Sequence, residues 1–153
     1  MLSKISLQEK DYLFIKHSQI AGGGNGLFTT LSIKPGRIIA KYFGEMISNS
    51  EATYRASQGK NGHFIRIDEL NVLDCYNTNG FAKYANDAES FTNPTNFKNN
   101  AILTRIPGSI VPVLASKRQI YPGEEIFVGY GDSYWEKYST NTKTNSINGM
   151  IWF

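Results

Sequence analysis

The chain has 153 residues, 41% hydrophobic and 19% charged, the balance of a globular protein large enough to bury a core without covalent staples. One cysteine, Cys75, and two histidines, His17 and His63, exclude a disulfide framework and a cysteine-rich zinc cluster, so no metal is expected. A net charge of +3, from 16 basic and 13 acidic residues, offers no basic stripe for a nucleic acid, and "SKR" at Ser116 to Arg118 is only a short edge.

From the N-terminus, "MLSKISLQEKDYLF" lacks the hydrophobic block of a signal peptide. No apolar run reaches membrane-spanning length, so a cytosolic or nuclear protein is expected. "YLFIKHS" reads as a first strand. "AGGGNGLF" follows, a glycine run that regular structure would not tolerate. Beyond the turn at Pro35-Gly36, "RIIAKYFGEMI" alternates as one strand. "SNSEATYRAS" is the best helix candidate, with Ser48 or Ser50 as its cap and Glu51 suited to the positive first turn. "HFIRID" and "NVLDCY" read as a hairpin, "FAKYANDA" as one helical turn, and "ESFTNPTNFKNN" as a polar loop. "AILTRI" and "IVPVLASKRQI" form strands around Pro107-Gly108, and Pro122-Gly123 turns into a last strand, "EEIFVGY". Many short strands with little helix predict a mostly-β fold, and there is no internal repeat. The polar tail "STNTKTNSIN" ends in "GMIWF", too apolar to expect in open solvent.

"GGGNG" could cradle a phosphate, but no "GK[ST]" follows and the loop leads into a strand rather than opening a helix, which argues against a nucleotide-phosphate site. Bare backbone against some other ligand, or a simple turn, remains.

Taken together, "GGGNGLFTTLSIKPGRIIAKYFGEMIS", "FAKYANDAES" and "GEEIFVGYGDSYW" resemble, in this order, the signature blocks of the SET-domain protein-lysine methyltransferases. "GNGLF" is similar to the family's Gly-x-Gly loop, "KYFGE" to its "EYxGE", "KYANDA" to "RFINHS", and the third block to its "GEEL" run ending in Tyr-Gly. The resemblance covers about residues 12 to 138 of a single domain, with residues 139–153 as a tail. It implies several small sheets, a few short helices and a C-terminal pseudoknot in which the second block lies beside the third.

The resemblance also implies transfer of a methyl group from S-adenosyl-L-methionine, leaving S-adenosyl-L-homocysteine, to the ε-amine of a protein lysine. Gly24, Asn25 and Gly26 correspond to the loop whose backbone holds the cofactor, where a Cβ would keep a ligand away. Asn86 corresponds to the residue that pairs with the adenine, its amide offering both a donor and an acceptor. The other role for such an Asn is a turn. Tyr130 corresponds to the catalytic tyrosine, whose phenol would orient amine and methyl on one axis. A core strand Tyr is the alternative, although glycines on both sides are unusual there. Tyr42 corresponds to a channel-lining tyrosine and could equally be core. Glu45 and Glu125 are assigned structural roles, Glu45 capping a turn. No general base is required. Deprotonating lysine at pH 7 costs about 4.6 kcal/mol, and a nearby sulfonium and a dry channel lower its pKa.

Departures from the family pattern are specific. Asp87 and Ala88 replace the His and Ser of "NHS", so Asp87 would contact the cofactor through its backbone. Lys83 replaces an Arg. His63 stands where members carry a cofactor-side Tyr. Val128 stands where an aromatic often limits methyl number, which gives the channel more room. Tyr134 and Trp135 lie where aromatics pack on the cofactor, and Trp152 and Phe153 could close the site in place of a cysteine-rich segment. The partner is a lysine-bearing protein or peptide, a histone tail among the candidates, with no nucleic acid and no membrane, and the chain a monomer or homodimer. Asp68, Glu69 and Asp74 are expected to line a groove for a basic peptide. A stand-alone domain rich in Asn, Lys and Ile is compatible with a microbial or viral source acting on host protein. The competing class is a SET-fold peptide-binding module without turnover.

Overall fold

In the computed structural model, which describes residues 1–90 and 94–131, short strands dominate, as closely spaced turn residues require. In chain order they are β1 (Ser3–Lys4), β2 (Leu13–His17), β3 (Asn25–Thr29), β4 (Arg37–Lys41), β5 (Glu45–Ser48), β6 (Phe64–Arg66), β7 (Asn71–Asp74), β8 (Ala101–Arg105), β9 (Pro112–Ser116) and β10 (Glu125–Ile126). Helix α1 spans Asn49–Ser57, and single 3-10 turns cover Glu9–Asp11 and Ala82–Tyr84. The described residues form two compact units, one made by Met1–Tyr42 with the described part of Gly80–Gly129, the other by Phe43–Asn79 with Tyr130 and Gly131.

The first unit holds two sheets, ordered β1-β4-β9-β8 and β10-β3-β2. Strand β1 pairs parallel to β4, a contact that two polar residues do not advertise in sequence. The β4–β9 register shifts between Ile38 and Ala40, and this bulge lets Ile38, Ile39 and Ala40 all be buried in succession. Gly108, at φ +80°, turns the β8–β9 hairpin as Pro107-Gly108 predicts. Leu27, Phe28, Ile33, Ile39, Val113, Leu114, Ile120 and Ile126 are buried to within 1% and make the core. Each such side chain contributes about 1.5–3 kcal/mol over an exposed one.

After Ile126 the chain leaves β3 and threads between two other segments. Phe127 bridges Asn86 in parallel, and Val128 bridges Ala101 in parallel. The Val128 N–H donates to the Asn86 carbonyl at 2.8 Å, and the N–H groups of Asn100 and Ala101 both donate to the Phe127 carbonyl. The second and third blocks therefore do meet, as the pseudoknot expectation requires.

In the second unit β5 and β6 flank β7, all antiparallel. Helix α1 starts where predicted, with Ser48 Oγ accepting from the Glu51 N–H at 3.2 Å. Its Ala52 packs with Ile47, Phe64 and Val72. "RIIAKYFGEMI" is not one strand: it breaks into β4 and β5, in different sheets. Gly44, inside that break, lies so close to β7 that an added Cβ would stand 2.6 Å from the Asp74 carbonyl oxygen.

Two expectations about acidic residues are corrected here. Glu45 does not cap a turn; it pairs with Arg55 at 2.9 Å. Asp74 is buried and bound to the same guanidinium at 2.7 Å, while Asp68 accepts from the Leu70 and Asn71 N–H groups in the β6–β7 turn. The Asp74 carboxylate is spent on the fold rather than left to line a groove, while Asp68 and Glu69 are exposed.

Candidate functional site

The loop between β2 and β3 is built from residues that a side chain would spoil, each for its own reason. Strand pairing runs up to His17 opposite Asn25, and the Ser18 N–H closes the loop on the Gly24 carbonyl at 2.8 Å. Gly22 and Gly24 take φ of +75° and +61°, the left-handed region that L side chains avoid. A Cβ at Gly24 would meet no protein atom within 4 Å, so its backbone faces open space. Gly23 has no such room: its Cβ would fall 2.8 Å from Ser18 Oγ. Asn25 and Gly26 belong to β3 itself, so the expected glycine loop ends at Gly24.

Gly26 is filled from behind by Glu125, whose side chain occupies the space a Cβ would take. Glu125 is 2% exposed, and its carboxylate is met by three donors. Ser18 Oγ donates to Oε1 at 2.6 Å and the Gln19 N–H donates to Oε2 at 2.7 Å. Asn86 Nδ2 lies 3.5 Å from Oε1, a long contact, and donates at 3.0 Å to the Asn25 carbonyl. One glutamate thus touches the entrance of the loop, its exit strand and the "KYANDA" turn.

Two neighbouring asparagines hold the third block and the turn, one each. Asn100, buried at 1%, donates from Nδ2 to the Glu125 carbonyl and accepts the Phe127 N–H at Oδ1, fixing the backbone of the third block. Asn99 donates to Asp87 Oδ1 at 2.8 Å and accepts from the Ala88 N–H. Asp87 Oδ1 also accepts from the Glu89 N–H, so its side chain serves the turn. Lys83 extends over the Tyr84 ring.

Among the expected site residues, Gly24, Asn25, Gly26, Asn86, Asp87 and Val128 all lie in the first unit. Asn86 joins most of them, through the Asn25 carbonyl on one side and the Val128 N–H on the other. Val128 is buried at 1%. Tyr42, 4% exposed, sits just past β4, its N–H donating to the Pro112 carbonyl. In the second unit His63 packs edge-on against Tyr76 and Tyr130 is half-buried. Tyr134, Trp135, Trp152 and Phe153 lie outside the described residues.

Sequence reasoning missed Ser18, Gln19, Asn99 and Asn100. Ser18 and Gln19 sit 107 and 106 residues from Glu125 and carry no local signature. The pair Asn99-Asn100, just before a predicted strand, was visible only as polar loop.

A hollow of about 410 Å³ opens beside Gln19, Asn100, Glu125 and Phe127. On its rim Arg118 pairs with Glu124, and Lys98 pairs with Glu89.

Against known proteins, the family model described as "SET domain" matches residues 24–131. Over 133 residues the chain is 27% identical to "Histone-lysine N-methyltransferase trr" of Drosophila melanogaster. That alignment covers 83% of this chain and 5% of the fly protein, so the chain spans only a small part of that relative's length.

Proposed function

This chain belongs to the SET-domain family, and we propose that it is a protein-lysine N-methyltransferase that uses S-adenosylmethionine and releases S-adenosylhomocysteine. The observation that supports this reading is the junction of the glycine loop with the "KYANDA" turn, made by the Asn86 amide on the Asn25 carbonyl at 3.0 Å. Two of the three signature blocks are thereby joined where a cofactor would be held.

The residues there fit that group. Gly24 faces open space at a positive φ, a cradle that any side chain would fill. Asn86 spends its amide nitrogen on the loop, which leaves its carbonyl oxygen to accept from a ligand donor. Asp87 is assigned a backbone contact with the cofactor. When bound, S-adenosylmethionine supplies an electrophilic methyl carbon on a sulfonium. The chain's own part is positioning: the Tyr130 phenol orients the substrate amine, and the side chains of Tyr42 and Val128 form channel wall. His63 is assigned to the cofactor's surroundings. The small Val128 leaves room for more than one methyl. A histone tail is a candidate substrate because the fly relative's name specifies histone lysine.

The test is methyl transfer from radiolabelled S-adenosylmethionine to mixed core histones and a protein extract, wild type beside Tyr130→Phe. Label on lysine that falls at least about a hundredfold in the variant supports the reading, the scale of a lost transition-state hydrogen bond. Cofactor binding by calorimetry without any label would point instead to a peptide-binding module. An active Tyr130→Phe protein would remove Tyr130 from the catalytic role.

A further inference from the structure

Glu125 is surrounded in a way that its place in a strand does not explain. Side chains in β10 need only pack, yet this one is a carboxylate, 2% exposed, with both oxygens engaged. Its donors are a hydroxyl, a backbone N–H and an amide. Among the described residues no ion pair reaches it. A buried carboxylate without a cation is costly to keep unless its geometry is needed.

That geometry is acceptance in two directions at once. Oε1 takes Ser18 Oγ at 2.6 Å, and the same hydroxyl accepts the Ile20 N–H at 3.2 Å, two residues further into the loop. Oε2 takes the Gln19 N–H at 2.7 Å. The carboxyl group itself, through Oε1 and Cδ, fills the place of a side chain at Gly26, so the loop exit is pressed against the group that holds its entrance. Neutral amides cannot replace this: Gln has one acceptor, and its NH2 would face the Gln19 N–H or force the Ser18 hydroxyl to turn.

We propose that Glu125 is the positioning residue of the glycine loop, a clamp that holds Ser18–Gly26 and Asn86 in the ligand-ready arrangement before any cofactor arrives. The proposal rests on the cofactor reading only for what the loop binds; the clamp itself is a property of the free protein. Preorganisation of this kind lowers the ordering cost of binding and so acts on cofactor affinity.

The experiment uses the whole chain as wild type, Glu125→Gln, Ser18→Ala and the double variant. Hydrogen exchange in the free protein reads the loop amides from Ser18 to Gly26 against the β8–β9 amides. Calorimetry reads S-adenosylmethionine affinity. Glu125→Gln should speed loop exchange and weaken the cofactor by roughly ten- to a hundredfold, the scale of one lost charge-assisted hydrogen bond. Ser18→Ala should reproduce part of both effects, and the double variant should fall short of their sum, because both act through one contact. Peptide KM at saturating cofactor should not move. Unchanged loop exchange in Glu125→Gln overturns the proposal. Where Glu125→Gln loses protection equally over β8–β9, Ser18→Ala, which leaves the carboxylate in place, decides: faster exchange confined to the loop keeps the clamp, and a loss spread over β8–β9, or none, overturns it. If wild type binds no S-adenosylmethionine, the function proposed above fails, and loop exchange still decides the clamp.

Discussion

Replacing Gly26 with Ala should damage this protein more than replacing Gly24, although Gly24 has the rarer backbone. At Gly26 the new methyl would stand 2.8 Å from Glu125 Cδ and 3.2 Å from the Phe28 ring, with Oε1 of Glu125 nearer still. Carbon atoms prefer about 3.5–4.0 Å, so something must move. The Phe28 ring is fully buried, and the carboxylate is tied to Ser18 and to the Gln19 N–H. Overpacking of this kind costs about 1–3 kcal/mol. Breaking one of the carboxylate's hydrogen bonds adds about 1.5–3 kcal/mol, and the stiffer unfolded chain returns about 0.4–1 kcal/mol. The net loss is about 2–5 kcal/mol. Gly24→Ala meets no atom within 4 Å and pays only for its φ of +61°, about 1–2 kcal/mol. Urea unfolding of the three proteins separates these figures, since a loss of about 3 kcal/mol moves the midpoint by roughly 1–3 M. In a Glu125→Ala background the methyl has room, and its cost should shrink. A Gly26→Ala protein within about 0.5 kcal/mol of wild type would refute the reasoning, because the carboxylate would then not be held.

Gly44→Ala places a methyl 2.6 Å from the Asp74 carbonyl oxygen, which is β7 backbone and cannot rotate aside. Urea unfolding should show a loss of about 1–3 kcal/mol, with faster exchange of the β5–β7 amides. Asp87→Ala removes the acceptor that gathers Asn99 Nδ2 and the Glu89 N–H, and a loss of about 1–3 kcal/mol is expected by the same measurement. Burial, and then the neighbouring Glu9 carboxylate, push the Tyr12 phenol up to about 12, against a smaller opposing effect of Arg37. Its hydroxyl donates to the Ile39 carbonyl at 2.6 Å. The unfolded Tyr12 releases its proton near pH 10 while the folded one keeps it, so the folded state binds more protons between those values. Stability from this group should be intact below pH 10 and fall by up to about 1.4 kcal/mol per pH unit as the pH rises toward 12. Tyr12→Phe should flatten that part of the curve; an unchanged slope would locate the titration elsewhere.

Much of the architecture was legible because it depends on local rules. Turns at Pro-Gly and Asn-rich steps, the Ser48 cap and the β6–β7 hairpin follow from residue types a few positions apart. The three signature blocks were legible as a pattern, and their meeting at Asn86 and Phe127 followed from the resemblance. What stayed hidden depends on distance or on context. "RIIAKYFGEMI" carries a continuous strand pattern, yet it breaks after Lys41 into β4 and β5, in different sheets, and Gly44 within the break packs close on the β7 backbone. Asn25 and Gly26 read as loop because glycine is a poor strand former, but the partners Lys16 and His17 across the ladder supply their pairing. Glu125 was rightly assigned to structure, and its partners could not be named from a Ser and a backbone N–H more than a hundred residues away. Asp74 looked like groove lining because charge alone does not reveal that Arg55 is waiting for it.

The "GNG" motif therefore encodes two constraints under one letter. Gly24 is glycine for the sake of what is outside the protein: its φ is left-handed and its missing Cβ leaves open space. Gly26 is glycine for the sake of what is inside, where Glu125 already stands. Gly24 takes its positive φ just before β3 begins and Gly26 lies inside the strand, and the carbonyl of Asn25 between them accepts from Asn86. A loop of this design can present bare backbone to a ligand without being loose, because the carboxylate behind it supplies the order that its glycines do not. The same reasoning makes Gly24 the position where substitution should lower affinity for the proposed cofactor with the smaller loss of stability, about 1–2 kcal/mol, and Gly26 the position where both should fall further together.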